Sequence, residues 1–149
     1  MTPQEMANQV GEGMMAKDNA SIAMGIRLTH ISPGAAHMEM QVRPDMVNGF
    51  GTCHGGMITT LADSAFGFAC NSYNELTVAS GLSMDFLTPA FEGDVLTARA
   101  SEVSLSGRTG VYDVTVFNQN ADCVAVFRGR SHRIKGKTVV VLRDNPPHV

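Results

Sequence analysis

The sequence predicts an α+β domain in which an antiparallel sheet curls around one long apolar helix. Residues 55–73 carry almost only apolar and small side chains, and Asp63 is the single charged residue among them. A helix this apolar has to bury its surface, so the sheet is expected to wrap around one side and a partner subunit to cover the other. Four stretches with a strand-like pattern follow the helix: residues 77–88, 94–105, 111–118 and 123–134.

The segments before the central helix add one helix and one hairpin. Residues 3–16 match a short amphipathic helix, although Gly11 and Gly13 lower its helix propensity. Between residues 25 and 42, two alternating segments flank a Ser-Pro-Gly-Ala turn, which is typical of a β-hairpin. Residues 43–54 are rich in turn formers and are expected to form the loop that enters the helix.

Turn sequences recur in the second half of the chain, at residues 106–110 and 119–122, and this spacing favours an antiparallel meander. We interpret residues 1–149 as a single domain. Within it, residues 1–20 are expected to form an N-terminal helix or arm, and residues 138–149 a flexible tail.

The composition argues against several classes of function. The chain of 149 residues is 44% hydrophobic and 17% charged, as expected for one compact domain. Its net charge of -3 and the lack of a basic stripe argue against a nucleic-acid partner. No apolar run is long enough to span a membrane, and the N-terminal MTPQEMANQV has no secretory pattern. The expectation is a cytoplasmic protein without a membrane partner.

The cysteines and histidines indicate neither a disulfide framework nor a metal centre. The three cysteines form no CxxC pair and are expected to be free thiols in a reducing compartment. The five histidines lack the spacing of metal ligands. We therefore expect neither a metal nor a cofactor. The cysteines are Cys53, Cys70 and Cys123, and the histidines are His30, His37, His54, His132 and His148.

His54, Gly55 and Gly56 stand where the loop enters the central helix. The first N–H groups of a helix lack internal partners and carry the positive end of its dipole. Two glycines allow a ligand to approach this backbone closely, so the position suits an anion or a carbonyl oxygen that becomes an oxyanion. An ordinary loop, with His54 only capping the turn, is the alternative.

Asp63 follows His54 by nine residues. In a regular helix the two lie on opposite sides of the axis and about 13 Å apart along it. One chain cannot bring both groups to the same atom. If both act in one reaction, Asp63 comes from a second subunit, as in a two-fold dimer with antiparallel central helices.

Two segments carry a resemblance to a known family. NGFGTCHGGMITTLADSAF, from Asn48 to Phe66, resembles the hotdog-fold acyl-CoA thioesterases, and in particular the phenylacetic-acid-degradation (PaaI) type. GLSMDFLTPAFEGD, residues 81–94, is similar to a strand and its Pro-containing turn in that family. The resemblance implies a hotdog fold, a homodimer or homotetramer with shared active sites, and hydrolysis of an acyl-CoA thioester to the free acid and CoA.

The resemblance also implies roles for five residues. Asp63 matches the acidic residue that attacks the thioester carbon or activates water, and either mechanism suits the sequence. Gly55 matches the backbone N–H that polarises the thioester carbonyl. Asn48 matches an amide that orients water or the carbonyl, and His54 matches a residue that supports the loop or contacts the thioester. Ser83 matches a serine that holds the water in related enzymes.

Basic side chains are candidates for binding the phosphates of CoA, because the guanidinium fork matches phosphate oxygens. Arg108, in the turn at residues 106–110, is the candidate we retain. Arg128 and Arg130 also fit, although ordinary solvated charges would have the same pattern. The resemblance to the phenylacetate type implies an aryl-acyl group such as phenylacetyl or a hydroxylated relative.

Three alternative functions fit the sequence less well. A Cys53–His54 nucleophile pair is disfavoured because adjacent residues seldom point correctly and no third member is evident. A hotdog hydratase or dehydratase is disfavoured because one such group has a His five residues after the Asp, where this chain has Phe68. A non-catalytic acyl-CoA-binding protein of this fold usually adds a DNA-binding helical domain, for which the residues before the sheet are too few.

Overall fold

The computed structural model describes residues 1–144 of the chain. Two helices come first and are followed by a hairpin, a short 3-10 helix, the long central helix and four strands. The helices are α1 (Pro3–Lys17), α2 (Asn19–Ala23) and α3 (Gly55–Asn71), and the 3-10 helix is Pro44–Met46. The strands are β1 (Arg27–Ser32), β2 (Ala35–Gln41), β3 (Thr77–Phe86), β4 (Val95–Ser106), β5 (Thr109–Phe117) and β6 (Cys123–Arg133).

The six strands form one antiparallel sheet in the order β1-β2-β4-β5-β6-β3. The predicted meander is confirmed for β4, β5 and β6 and is wrong for β3, which pairs with β6 at the far edge. The reason is that α3 joins β2 to β3 across the sheet, so β3 starts at the opposite edge and β4 returns to pair with β2.

Helix α3 packs on one face of the sheet, called here the inner face, mainly against β2, β4 and β5. Phe66 of α3 lies against the rings of Tyr112 and Phe127. A Cβ at Gly129 would lie 2.8–2.9 Å from the Phe66 ring, so the helix approaches β6 where a side chain is missing. Met38 and Met40 are fully buried core residues, as the alternating pattern of the hairpin predicts.

The N-terminal helix forms despite its glycines. Gly11 is buried, and a Cβ there would lie 2.8 Å from the Leu28 side chain, so the residue that weakens the helix also lets α1 pack closely on β1. Among the described residues no helix is both long and apolar enough to cross a membrane.

The stretch expected to be a flexible tail, residues 138–149, makes specific contacts in its described part. The N–H groups of Val139 and Val140 donate to the Asn74 side chain, at 3.2 and 2.9 Å. The Arg143 backbone exchanges two hydrogen bonds with the buried Gln9 amide of α1. Residues 145–149 of this prediction lie outside the described residues.

Candidate active site at the start of the central helix

The loop before α3 is closed by Asn48. Its side-chain oxygen accepts from the N–H groups of Phe50 and Thr52, at 2.9 and 3.2 Å, and its amide nitrogen donates to the Thr52 hydroxyl at 3.0 Å. The Cys53 N–H then donates to the Ala90 carbonyl at 2.7 Å. These bonds hold the loop against the turn after β3 and fix the direction in which α3 starts.

His54 is the N-cap of α3. Its ring Nδ1 accepts from the Gly56 N–H at 3.0 Å, so Nδ1 is the unprotonated nitrogen in this arrangement. Its own N–H donates to the Met46 carbonyl at 2.7 Å. The His54 ring therefore satisfies one of the free N–H groups at the helix start, which is the role of a side-chain cap.

The Gly55 N–H is the donor that remains. It belongs to the first residue of α3, and no acceptor for it exists among the described residues. Gly55 lines a cavity of about 360 Å³ with Cys53, Ile58, Phe86 and Leu87. A Cβ at Gly55 would lie 3.0 Å from the Phe86 ring, so glycine keeps room between the ring and the helix start. This geometry fits a donor for a carbonyl oxygen.

Phe86 is a site residue that the sequence reasoning did not select. Its ring covers Gly55 and it is 53% exposed, although it ends a strand. The sequence contains one signal that could have identified it. Phe86 stands directly before the Leu-Thr-Pro turn, and this turn leads from the end of β3 toward the start of α3.

Cys53 lines the same cavity but is a poor nucleophile. Burial and the neighbouring Asp94 raise the pKa of its thiol to about 11, so the thiol stays protonated at neutral pH. Its Sγ points to the carbonyl of His54 at 3.7 Å rather than to the ring. The structure thus gives no support to a Cys53–His54 nucleophile pair.

Asp63 lies in the middle of α3 and is exposed in the single chain. No hydrogen bond or ion pair engages its carboxylate within the described part of the chain. Partial desolvation by the surrounding helix and sheet raises the pKa of the carboxyl. An unpartnered carboxylate with a raised pKa has the properties of a general base or a nucleophile.

One chain does not bring Asp63 and Gly55 together. Eight residues of continuous α3 separate them, which places them about 12 Å apart along the axis and about 80° apart around it. Within one chain the two groups therefore cannot act on the same atom.

Ser83 lies apart from the Gly55 cavity. Met84 packs on the core and Phe86 touches Gly55, so alternation along β3 puts Ser83 on the outer face of the sheet. There it pairs in register with Arg128, whose guanidinium binds the Asp113 carboxylate at 2.7 and 2.9 Å. Within one chain Ser83 is therefore not adjacent to the helix start.

Arg108 lies at the opposite end of the sheet from Gly55. It is exposed in the turn between β4 and β5, and its carbonyl accepts from the Arg133 N–H at 2.8 Å. Arg133 pairs with Thr77 at the beginning of β3, whereas Phe86 ends that strand beside Gly55. The ten residues of β3 thus separate Arg108 from the cavity within a single chain.

Comparison with known proteins identifies the family. Residues 50–125, half of the chain, match the family model of the thioesterase superfamily. The chain belongs to the thioesterase superfamily. It is 44% identical to the acyl-coenzyme A thioesterase PaaI of Escherichia coli, over 86% of this chain and 91% of that protein. The matched segment contains Gly55, Asp63 and Ser83, and it starts just after Asn48.

Solved structures of the superfamily confirm the hotdog fold. The structure of E. coli PaaI, from the phenylacetic acid degradation operon, superposes with a TM-score of 0.90 at 43% identity. The superposition covers 92% of this chain and 99% of the E. coli chain. A Streptococcus mutans protein bound to acetyl-CoA superposes with a TM-score of 0.73 at 26% identity, over 76% of this chain and 91% of that one.

Proposed function

We propose that this chain is an acyl-CoA thioesterase whose active site is shared between two subunits. The observation that carries the proposal is the Gly55 N–H, a free donor at the start of α3 that opens on an apolar cavity. Membership of the thioesterase superfamily and the identity to an acyl-CoA thioesterase support the same reaction. The substrate is the thioester, and the products are a carboxylic acid and free CoA.

In this proposal the Gly55 N–H donates to the thioester carbonyl oxygen and stabilises the negative charge that forms on it. Asp63 of the partner subunit then acts in one of two ways. As a base, it takes a proton from water while the water oxygen attacks the carbonyl carbon. As a nucleophile, it forms an anhydride with the acyl group, which water then cleaves. In both, the bond to sulfur breaks and CoA leaves as the thiolate.

The remaining site residues have supporting roles in this proposal. Asn48 holds the loop and has one amide hydrogen left over to orient the carbonyl or water. His54 fixes the Gly56 N–H, which leaves the neighbouring Gly55 N–H as the donor for the substrate. If Ser83 contacts the reacting water, it does so in the oligomer, because its own chain keeps it on the outer face of the sheet.

We further propose a cytoplasmic homodimer that pairs into a homotetramer. Strand β3 is an edge strand with free backbone groups, and Val78, Leu82, Phe86 and Leu87 on or beside it are 43–58% exposed. An apolar edge of this kind favours pairing with another strand. Antiparallel pairing of two β3 strands would bring the start of one strand near the end of the other, and Asp63 near the partner's Gly55 region.

A charge on this edge is expected to dissociate the dimer. Leu82→Lys places an ammonium among the apolar side chains at the proposed interface, where its burial is costly. We expect a smaller assembly than that of wild type by analytical ultracentrifugation, with loss of thioesterase activity because the site needs two subunits. Val103→Lys, at a 53% exposed residue of β4, is the matched control and should remain oligomeric. A Leu82→Lys dimer with full activity would contradict the interface.

The acyl group is proposed to be aromatic, such as phenylacetyl or a hydroxylated relative. The cavity beside Gly55 is lined by Phe86, Leu87 and Ile58, which suit an apolar ring. The test is thiol release from aryl and straight-chain acyl-CoAs that are matched in size. Preference for aryl-acyl-CoA supports the proposal, whereas equal or better turnover of straight-chain substrates would reassign the acyl group. Release from none of them would contradict a thioesterase.

A further inference from the structure

Phe50 is the most exposed aromatic side chain of residues 1–144, at 93%. It stands at the tip of the loop that precedes α3, between Gly49 and Gly51. A single apolar side chain on a surface needs no explanation by itself. The loop around Phe50, however, is ordered: the Phe50 N–H donates to the Asn48 side chain at 2.9 Å, and the Gly51 N–H donates to the Asn48 carbonyl at 3.2 Å. These bonds hold the backbone of Phe50 in one conformation, with the ring outside the core.

Gly67 lies in the interior of α3, where glycine weakens a helix. The glycine at position 11 of α1 has a packing reason, because the space that it leaves is taken by Leu28. A Cβ at Gly67 would meet no atom within 4 Å other than the neighbouring backbone of α3, so no contact within the described chain requires glycine there. Gly67 follows Asp63 by four residues, and the two therefore share one face of the helix. This face has room for a bulky group from outside the chain.

The proposed dimer brings the loop and this helix face together. Its central helices run antiparallel, with Gly55 of one subunit beside Asp63 of its partner. The loop that precedes Gly55 then lies beside the partner helix on the C-terminal side of Asp63. Gly67 is one turn further in that direction, about 6 Å along the axis. Phe50 is the bulky apolar side chain that the loop carries outward, so it is the natural group to meet the open helix face.

We propose that Phe50 packs on the face of the partner's α3 that carries Asp63 and Gly67, and shields the Asp63 carboxylate from bulk water. The inference rests on the proposed thioesterase function with a shared site, and it gives Phe50 a positioning role. An apolar neighbour removes part of the hydration of a carboxylate and makes the group more basic. Asp63 is exposed within its own chain, so the ring from the other subunit supplies shielding that its own chain does not.

The charged groups around this face do not compete with the shielding. Burial is the cause of the raised pKa of Asp63 within its own chain. Cys70, the titratable group further along α3 that responds to Asp63, has a pKa of about 12 and stays protonated. The other charged or titratable groups, on the neighbouring helices and on the loop, have their own places. They are Lys17 of α1, beside Asn71 at the end of α3, Asp18, which caps α2, Arg43 and Asp45, which bind each other, and His54, which caps α3.

The kinetic test compares Phe50→Ala with Phe50→Leu and with Val141→Ala, which changes a 90% exposed apolar residue outside α3 and its loop. We expect Phe50→Ala to lower kcat about tenfold, because a better hydrated carboxylate is a weaker base. The acid limb of its pH–activity profile should move to lower pH, because less desolvation lowers the pKa of Asp63. Phe50→Leu keeps an apolar side chain and should resemble wild type in both, as should Val141→Ala. An acid limb of Phe50→Ala at the wild-type pH would overturn the proposal.

A single tryptophan tests the contact without turnover. The chain contains no tryptophan, so Phe50→Trp places one fluorescent reporter at the tip of the loop. Its emission should lie at shorter wavelength in the oligomer than in the same variant combined with Leu82→Lys, because the partner's helix buries the indole. Emission at one wavelength in both proteins would show that the ring is not covered in the oligomer, and the proposal would be wrong.

Gly67→Leu is the reciprocal variant. Its side chain occupies the space proposed for the ring of Phe50, while its Cβ meets no obstacle in its own chain and replacement of a helix glycine favours folding. We expect the fold to be kept and the emission of Phe50→Trp in this background to move to longer wavelength. Unchanged emission would place the ring elsewhere and contradict the proposal. Since neither emission measurement needs turnover, failure of the contact is distinguished from failure of the thioesterase proposal.

Discussion

Asp63→Asn is expected to lower kcat about 10³-fold, the usual contribution of a positioned base, while leaving the fold and the oligomer intact. The side chain is exposed and has no partner within the described residues, so its replacement by an isosteric amide removes no structural contact. Thiol release from the best acyl-CoA measures the loss, and circular dichroism and ultracentrifugation check the structure. Asp144→Asn, at an exposed carboxylate outside α3 and outside the loop that precedes it, is the control and should keep full activity.

Asp63 should also determine the pH at which activity is lost on the acid side of the pH–activity profile. The carboxyl must be ionised to act, and partial desolvation raises its pKa above the usual aspartate value. Activity of wild type should therefore fall as the pH drops through this raised pKa, at a higher pH than for an ordinary aspartate. A small residual activity in Asp63→Asn should lose this dependence. A kcat within a few fold of wild type in Asp63→Asn would remove Asp63 from the chemistry.

Gly55→Pro is the variant with the second large expected effect, and it removes one backbone N–H donor from the site. Proline is well tolerated at the first position of a helix, where its missing N–H breaks no internal bond. The preceding His54 already has an extended backbone, with φ -60° and ψ 132°, which is compatible with a following proline. We expect kcat to fall about 10²- to 10³-fold, as for loss of one oxyanion donor.

Gly55→Ala is the matched control for that variant. It keeps the N–H but adds a Cβ at 3.0 Å from the Phe86 ring, which can shift because it is half exposed. We expect a loss of about tenfold or less, caused by crowding of the cavity. If Gly55→Ala and Gly55→Pro lose the same activity, crowding and not the missing donor explains both.

The central helix and the structure at its start could be predicted from the sequence because the signals there are local. An apolar run with one charge, preceded by His-Gly-Gly, predicts both a buried helix and a donor site, and the structure contains α3 with a free Gly55 N–H. The separation of Gly55 and Asp63 follows from helix geometry alone. The hairpin of β1 and β2 is likewise confirmed, because its alternation and turn are adjacent in sequence.

What the sequence missed depends on long-range pairing. The place of β3 at the far edge is set by α3 crossing the sheet, which no local pattern records. The face of Ser83 follows from the β3–β6 register, in which it stands opposite Arg128, and its role beside the reacting water stays a prediction. The described part of the C-terminal stretch is bound by Gln9 and Asn74, which are remote in sequence.

The most direct test of the shared site is a purified heterodimer of one Asp63→Asn subunit and one Gly55→Pro subunit. Each homodimer has a defect in both of its sites. In the heterodimer, two-fold symmetry combines the intact Gly55 of one chain with the intact Asp63 of the other in one site, and both defects fall in the second. We predict recovery of about half the wild-type kcat per dimer, because one of two equivalent sites is restored. A heterodimer as inactive as its two parents would show that Gly55 and Asp63 do not act together across the interface.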